Sequence, residues 1–180
     1  VAQRFYRALV FYHGLPAEIL LFPHWETEPY APLSPHPEIE ATRLSTLAAL
    51  AAGRGKAVVT TVRALQQKVL PRSVLQGLAL QLETGQEISR HDLLQNLTAL
   101  GYQRVSLVED RGCYAVRGDL IDLFPPILEQ PVRLAFFGDE LEEIRAFDPV
   151  SQRSLDRHMV RLDLVPAREM ILAGAHLETF

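Results

Sequence analysis

The hydrophobic pattern changes period near residue 77, and that change constrains the fold more than any single motif. Before it, two short unbroken apolar runs, 18–22 (EILLF) and 57–61 (AVVTT), read as buried strands and alternate with helical spacings. Phe5, Leu9 and Tyr12 space a helix over 2–12, with Gly14 where a C-terminal cap would sit. Glu38 and Glu40 favour the first turn of a second helix, whose entry Pro35 and Pro37 fix. Its expected apolar stripe is Leu44, Leu47 and Leu50 or Ala51, up to Gly53. Val62, Leu65 and Val69 make a short helix that Pro71 ends. Strands alternating with helices imply a parallel sheet with crossover connections.

After residue 77 the run LALQLE alternates as a half-exposed strand, and Thr84-Gly85-Gln86 turns the chain. A helix follows, with Ser89 as N-cap, Asp92 three residues on, and Ile88 placed to staple against Leu93; Leu94, Leu97 and Leu100 line its face and Gly101 closes it. From there, strands are expected at 103–108, 113–124, 131–137, 140–147 and about 157–165, joined by short Gly/Asp/Pro turns that make neighbours antiparallel. The expected organisation is α/β: a partial parallel-sheet piece over 1–77, an α+β piece with antiparallel strands over 78–160, and a segment 161–180 that VPARE (165–169) leads back to the first piece.

Composition narrows the functions. Eighteen basic and twenty-two acidic residues leave a net charge of -4, so there is no global electrostatic footprint for nucleic acid. The single cysteine, Cys113, excludes an internal disulfide and suits a reducing cytoplasm. No apolar run approaches the ~20 residues of a membrane span, and no leader pattern opens the chain. The missing initiator Met and the unmarked end suggest a piece of a longer protein.

The chemistry-bearing candidates are few. AAGRGKAV (51–58) places Gly55-Lys56 as a phosphate loop would, but Leu50 holds the first Gly position, Ala57 holds the hydroxyl position, and the loop precedes a strand. A surface turn is the better reading. The six histidines show no metal-ligand spacing, and Ser34 with His36 flanks a proline that argues for a rigid turn. Asp139, Glu140, Glu142 and Glu143 read as a solvated hairpin end, with Glu140 and Glu142 on one strand face and Glu143 on the other. Trp25 and Tyr30 could stack a base, but no Lys or Arg lies between residues 8 and 42 to meet its phosphate.

PVRLAFF (131–137) is more informative. Period-two alternation sends Val132, Leu134 and Phe136 to one face, and Arg133, Ala135 and Phe137 to the other. Arg117, beside Gly118 at a possible bulge, joins that second face if the strands pair. Two readings stand from spacing alone. Either Arg117, Arg133 and Phe137 form an exposed interaction patch over a flat Ala/Gly floor, or Phe137 is buried and the arginines pair with Asp119 or Glu140.

YAVRGDLIDLFPP and PVRLAFFGDELEEIRAFDPVSQRSL resemble the segment shared by the excision-repair protein UvrB and the bacterial transcription-repair coupling factors, and LLFPHWETEPYAPLSPHPEIEATRLSTL is similar to the coupling factors alone. The resemblance implies a degenerate nucleotide fold of RecA/helicase type without a working P-loop, carrying an inserted domain that binds the repair protein UvrA. It implies a non-enzymatic fragment without cofactor; ATP and Mg²⁺, DNA and RNA polymerase belong to other domains of the parent translocase. The family's UvrA-contacting residues fall on Arg117, Arg133 and Phe137, a surface that another domain is expected to mask in the full-length protein. Asp119 departs from the family's small uncharged residue and is expected to neutralise Arg117 in part. A residual DNA-binding module is the alternative.

Overall fold

The computed structural model describes residues 1–14, 18–26, 35–77 and 79–169. Tyr30 and Ser34 lie outside the described residues. Helix α1 (Ala2–His13) ends on Gly14 in the left-handed region at φ 71°, its amide bonded to the Val10 carbonyl. Strand β1 (Ile19–Phe22), helix α2 (Pro37–Ala51) and strand β2 (Ala57–Thr60) follow, and β1 and β2 pair in parallel. Pro37 occupies the first position of α2, where its missing N–H costs nothing, and His36 caps the helix by accepting from the Glu38 amide.

The buried face of α2 differs from the expected leucine stripe. It consists of Glu40, Ala41, Arg43, Leu44, Thr46 and Ala49, while Leu50 is exposed. Polar residues enter because each has a partner: the Thr46 hydroxyl donates to the Leu21 carbonyl at 2.6 Å, and Arg43 and Glu40 meet the C-terminal segment. The expected 62–69 helix is also shorter. It runs only from Val62 to Leu65 (α3), capped by the Thr61 hydroxyl, and Pro71 precedes a further short helix, α4 (Arg72–Gly77). Leu44, Leu70 and Leu75 form the small core beneath them.

Strand β3 (Leu80–Glu83) and helix α5 (Arg90–Ala99) open the second piece. The sheet that follows comprises β4 (Gln103–Arg104), β5 (Cys113–Arg117), β6 (Leu120–Leu123), β7 (Val132–Phe137), β8 (Glu140–Phe147) and β9 (Ser154–Met159), hydrogen-bonded in that order. Strand β10 (Arg161–Leu164) leaves this sheet to pair antiparallel with β3.

Three strand expectations need correction. The 103–108 strand shrinks to two residues and pairs in parallel with β5, because the chain beyond it crosses the sheet and buries Val108 against Ala115, Phe124 and Phe147. The 113–124 strand is a hairpin turning at Gly118-Asp119; Gly118, at φ 59°, supplies the left-handed conformation such turns need and marks no bulge. The 157–165 strand is divided at Val160 between β9 and β10.

One face of the six-stranded sheet carries the main core. Leu93 and Leu97 of α5 pack with Ile121, Leu123, Leu134, Phe136, Leu141 and Ile144, all at most 5% exposed. The period-two pattern of β7 thus emerges as Val132, Leu134 and Phe136 inward. Both a parallel pair and antiparallel sheets are present, so the chain is mixed α/β.

Candidate protein-interaction face

The outer face of this sheet grades from dry to exposed along its strands. At the dry end, Phe147 is fully buried with Val108, Ala115 and Phe124. Arg133 lies over the Phe147 ring, its guanidinium carbon 5.0 Å from the centroid. It donates from Nε and Nη2 to the two oxygens of Asp122 at 2.7 and 3.0 Å, and from Nη1 to Ser154 Oγ at 3.2 Å. Asp122 and Arg133 are directly opposed across β6 and β7, which makes the bidentate pair a product of register. That hydrogen bond holds the Arg133 pKa above its ordinary value, against the opposing effect of burial. Arg133 therefore does not stand free: its side chain is only 17% exposed, and its partner is neither Asp119 nor Glu140.

At the other end, Arg117, Leu120, Ala135 and Glu143 are successive cross-strand partners, with Phe137 one step beyond Ala135 on β7. Phe137 is 74% exposed beside the Gly138-Asp139 turn, so the buried alternative for this ring does not hold. Arg117 is exposed and makes no ion pair or side-chain hydrogen bond among the described residues. The expected neutralisation by Asp119 is absent, because Arg90 of α5 holds that carboxylate at 2.7 Å and also donates to the Gly118 carbonyl at 3.0 Å. The structure thus brings Arg117, Ala135 and Phe137 to one open surface, with Arg133 as a braced, mostly covered neighbour.

The acidic residues of β8 are arranged otherwise than simple alternation suggests. Phe136 pairs with Leu141 and Ala135 with Glu143, so a bulge at Glu142 shifts the register by one residue. Leu141 and Ile144 can then both point inward, and Glu143 joins Glu140 on the outer face. Glu143 accepts from Arg145 Nη2 at 2.6 Å and lies 2.9 Å from His158 Nδ1, so one carboxylate oxygen is shared by two side chains.

Other candidates resolve into structure. The 51–58 stretch is the turn from α2 into β2; a Cβ on Gly55 would meet Leu20 Cδ1 at 2.6 Å, and Lys56 pairs with Glu18 at 2.8 Å. Among the described residues, no group of three or more His, Cys, Asp or Glu side chains could hold a metal ion, and no helix is long and apolar enough to cross a membrane. Burial, then the charge of Asp110, raises the Cys113 thiol pKa, with Arg168 opposing, which leaves it a poor nucleophile.

Trp25 has a partner that spacing did not reveal. Arg43, completely buried, lies between the Phe22 and Trp25 rings at 4.2 and 4.9 Å. It pairs through Nε and Nη2 with Glu169, and donates from Nη1 to the Pro23 carbonyl at 2.7 Å and to Gln67 Oε1 at 3.0 Å. The Trp25 indole Nε1 is buried and has no hydrogen-bond partner among the described residues. Burial raises the Glu169 pKa above its ordinary value, against the lowering effect of the Arg43 contact. Arg168 pairs with Glu40 at 3.0 Å beside it. This cluster fastens α2 to the segment leaving β10, and Trp25 belongs to it as an internal stacking partner.

An exposed aromatic beside an arginine without an ion pair among the described residues combines the residue types that are enriched where proteins bind one another. The chain belongs to the UvrB interaction domain family, whose model matches residues 80–170. It is 47% identical over 159 residues to a transcription-repair-coupling factor of Myxococcus xanthus, covering 88% of this chain and 13% of that protein. It is 43% identical over 156 residues to the transcription-repair-coupling factor of Escherichia coli (strain K12), covering 87% and 14%. A more distant relative, UvrABC system protein B of Gloeothece citriformis, is 31% identical over 169 residues, covering 89% and 25%. The chain therefore spans only a small part of the length of each.

Proposed function

We propose that this chain is the part of a transcription-repair coupling factor that recruits UvrA to stalled RNA polymerase, and that UvrA docks on Arg117, Arg133 and Phe137. The observation that carries the reading is the exposure of Phe137 beside unpaired Arg117, inside the segment that matches the UvrB interaction domain. Phe137 enters a pocket on UvrA, Arg117 meets an acidic group there, and Arg133, set by Asp122, supplies a cation of fixed direction. The module is non-catalytic and takes no cofactor. ATP, Mg²⁺, DNA and RNA polymerase engage other domains of the parent.

The first piece is read as part of a degenerate RecA/helicase-like domain. Its parallel β1–β2 pair, with the exposed Val58, Val62 and Leu65 alongside, supports this, because parallel strands are ordinarily buried in larger sheets.

Titration calorimetry of the 180-residue chain against purified UvrA tests the proposal, beside Arg117→Ala, Arg133→Ala and Phe137→Ala proteins of verified melting temperature. Binding by the wild type and its loss in folded variants is the expected result. No binding by the wild type, or equal binding by all three variants, overturns it.

A further inference from the structure

Asp122, Arg133, Arg145 and His158 face one another in succession across β6, β7, β8 and β9. Arg133 and Arg145 are therefore directly opposed, an unfavourable placement for like charges unless each has its own counter-charge. Both do, but they are not held equally. Asp122 grips Arg133 with two bonds and is itself only 1% exposed. Among the described residues Arg145 has a single side-chain bond, from Nη2 to Glu143 Oε1, between side chains 34% and 35% exposed, and its Nε has no partner. The same Glu143 oxygen lies 2.9 Å from His158 Nδ1, so that carboxylate is shared.

The position of this pair matters as much as its weakness. Glu143 opposes Ala135, the floor between Arg133 and Phe137, so Arg145 borders the proposed docking surface and is twice as exposed as Arg133. An arginine with an orphaned donor and a shared, accessible carboxylate is poised to exchange that carboxylate for another at little cost.

We infer that Arg145 is a further docking cation: an acidic side chain of the partner replaces Glu143 on it, and Glu143 acts as the intramolecular competitor that keeps Arg145 oriented beforehand. This rests on the UvrA-docking reading above and extends its surface from β5 and β7 onto β8.

The two halves of the pair have opposite expected effects, which a merely structural ion pair would not produce. Titration of purified UvrA with Arg145→Ala is expected to show affinity weakened about tenfold, with Arg145→Lys between it and wild type. Glu143→Gln, which removes the competitor, is expected to bind more tightly than wild type at an unchanged melting temperature. The inference is overturned if Arg145→Ala binds within about twofold of wild type while Arg117→Ala loses binding, or if Arg145→Ala and Glu143→Gln weaken binding alike. If Arg117→Ala and Phe137→Ala also bind normally, the docking reading itself fails and this inference falls with it.

Discussion

Two arginines in this chain have the same immediate chemistry and different circumstances. Arg43 and Arg133 each make a bidentate contact with a carboxylate and lie over an aromatic ring, Arg43 with Glu169 against Phe22 and Trp25, Arg133 with Asp122 against Phe147. The first is sealed and joins residues 126 positions apart, so its work is to hold α2 to the C-terminal segment. The second sits at the edge of an open surface, 17% exposed, with donor capacity left for a partner. Their direct contacts do not separate them. Burial and neighbours do: nothing can reach the first, whereas the exposed Phe137 stands two residues beyond Ala135 on the strand that carries the second, which under the proposed function makes Arg133 a pre-aimed contact.

Breaking the sealed arginine should have the largest effect. Arg43→Ala leaves Glu169 buried without its counter-charge, and about 3–5 kcal/mol of stability should be lost in urea denaturation. Near-wild-type stability would erase the contrast. Phe137→Ala should do the converse, costing about 2 kcal/mol or more of UvrA affinity by calorimetry while unfolding stability stays within about 0.5 kcal/mol. Asp122→Asn tests the intermediate case. It weakens the brace on Arg133, so stability should fall by about 1–2 kcal/mol and affinity should fall with it. A change in stability alone would make the Asp122 pair a fastening like the other.

The smallest effect is a pH slope. Burial raises the Glu169 pKa above its ordinary value of 4.5, so between that value and the folded pKa the folded state binds more protons than the unfolded one. The contribution of Glu169 to stability is then greatest below pH 4.5 and declines as pH rises through the folded pKa. Asp163 slopes the other way, since its bond from Gln81 lowers its pKa. The difference between the wild-type and Glu169→Gln profiles in urea should isolate the falling slope, and a rising difference would contradict it.

Local patterning accounts for much of what the sequence made visible. The alternation of β7, the Ser89 cap of α5, the Gly14 cap of α1 and the positions of β1 and β2 follow from periodicity and capping, which act between near neighbours, whereas the expected burial of β2 does not hold, since Ala57 and Val58 are exposed. The same alternation put Phe137 on the outer face but left its exposure open, which the surroundings of β7 decide. What escaped depends on pairing over distance. Asp122 is an ordinary strand residue until the Gly118 hairpin and the β6–β7 register set it opposite Arg133. The outward turn of Glu143 depends on one unpaired residue in β8, and the Arg43 cluster required a partner from the far end of the chain. Arg90 escaped for the same reason, its carboxylate lying 29 positions away on the hairpin turn.

The pairing of β3 with β10 has a mechanical consequence. Leu80 lies directly opposite Leu164, so the polypeptide enters and leaves this part of the molecule at adjacent points. Tension drawn along the chain would load the contacts of Ala167 and Val165 with Leu100 and Tyr102, then that first rung, before the strands beyond. The six-stranded sheet, with Phe137 on it, hangs as a side branch off the line of force and can keep its shape while the chain on either side is pulled.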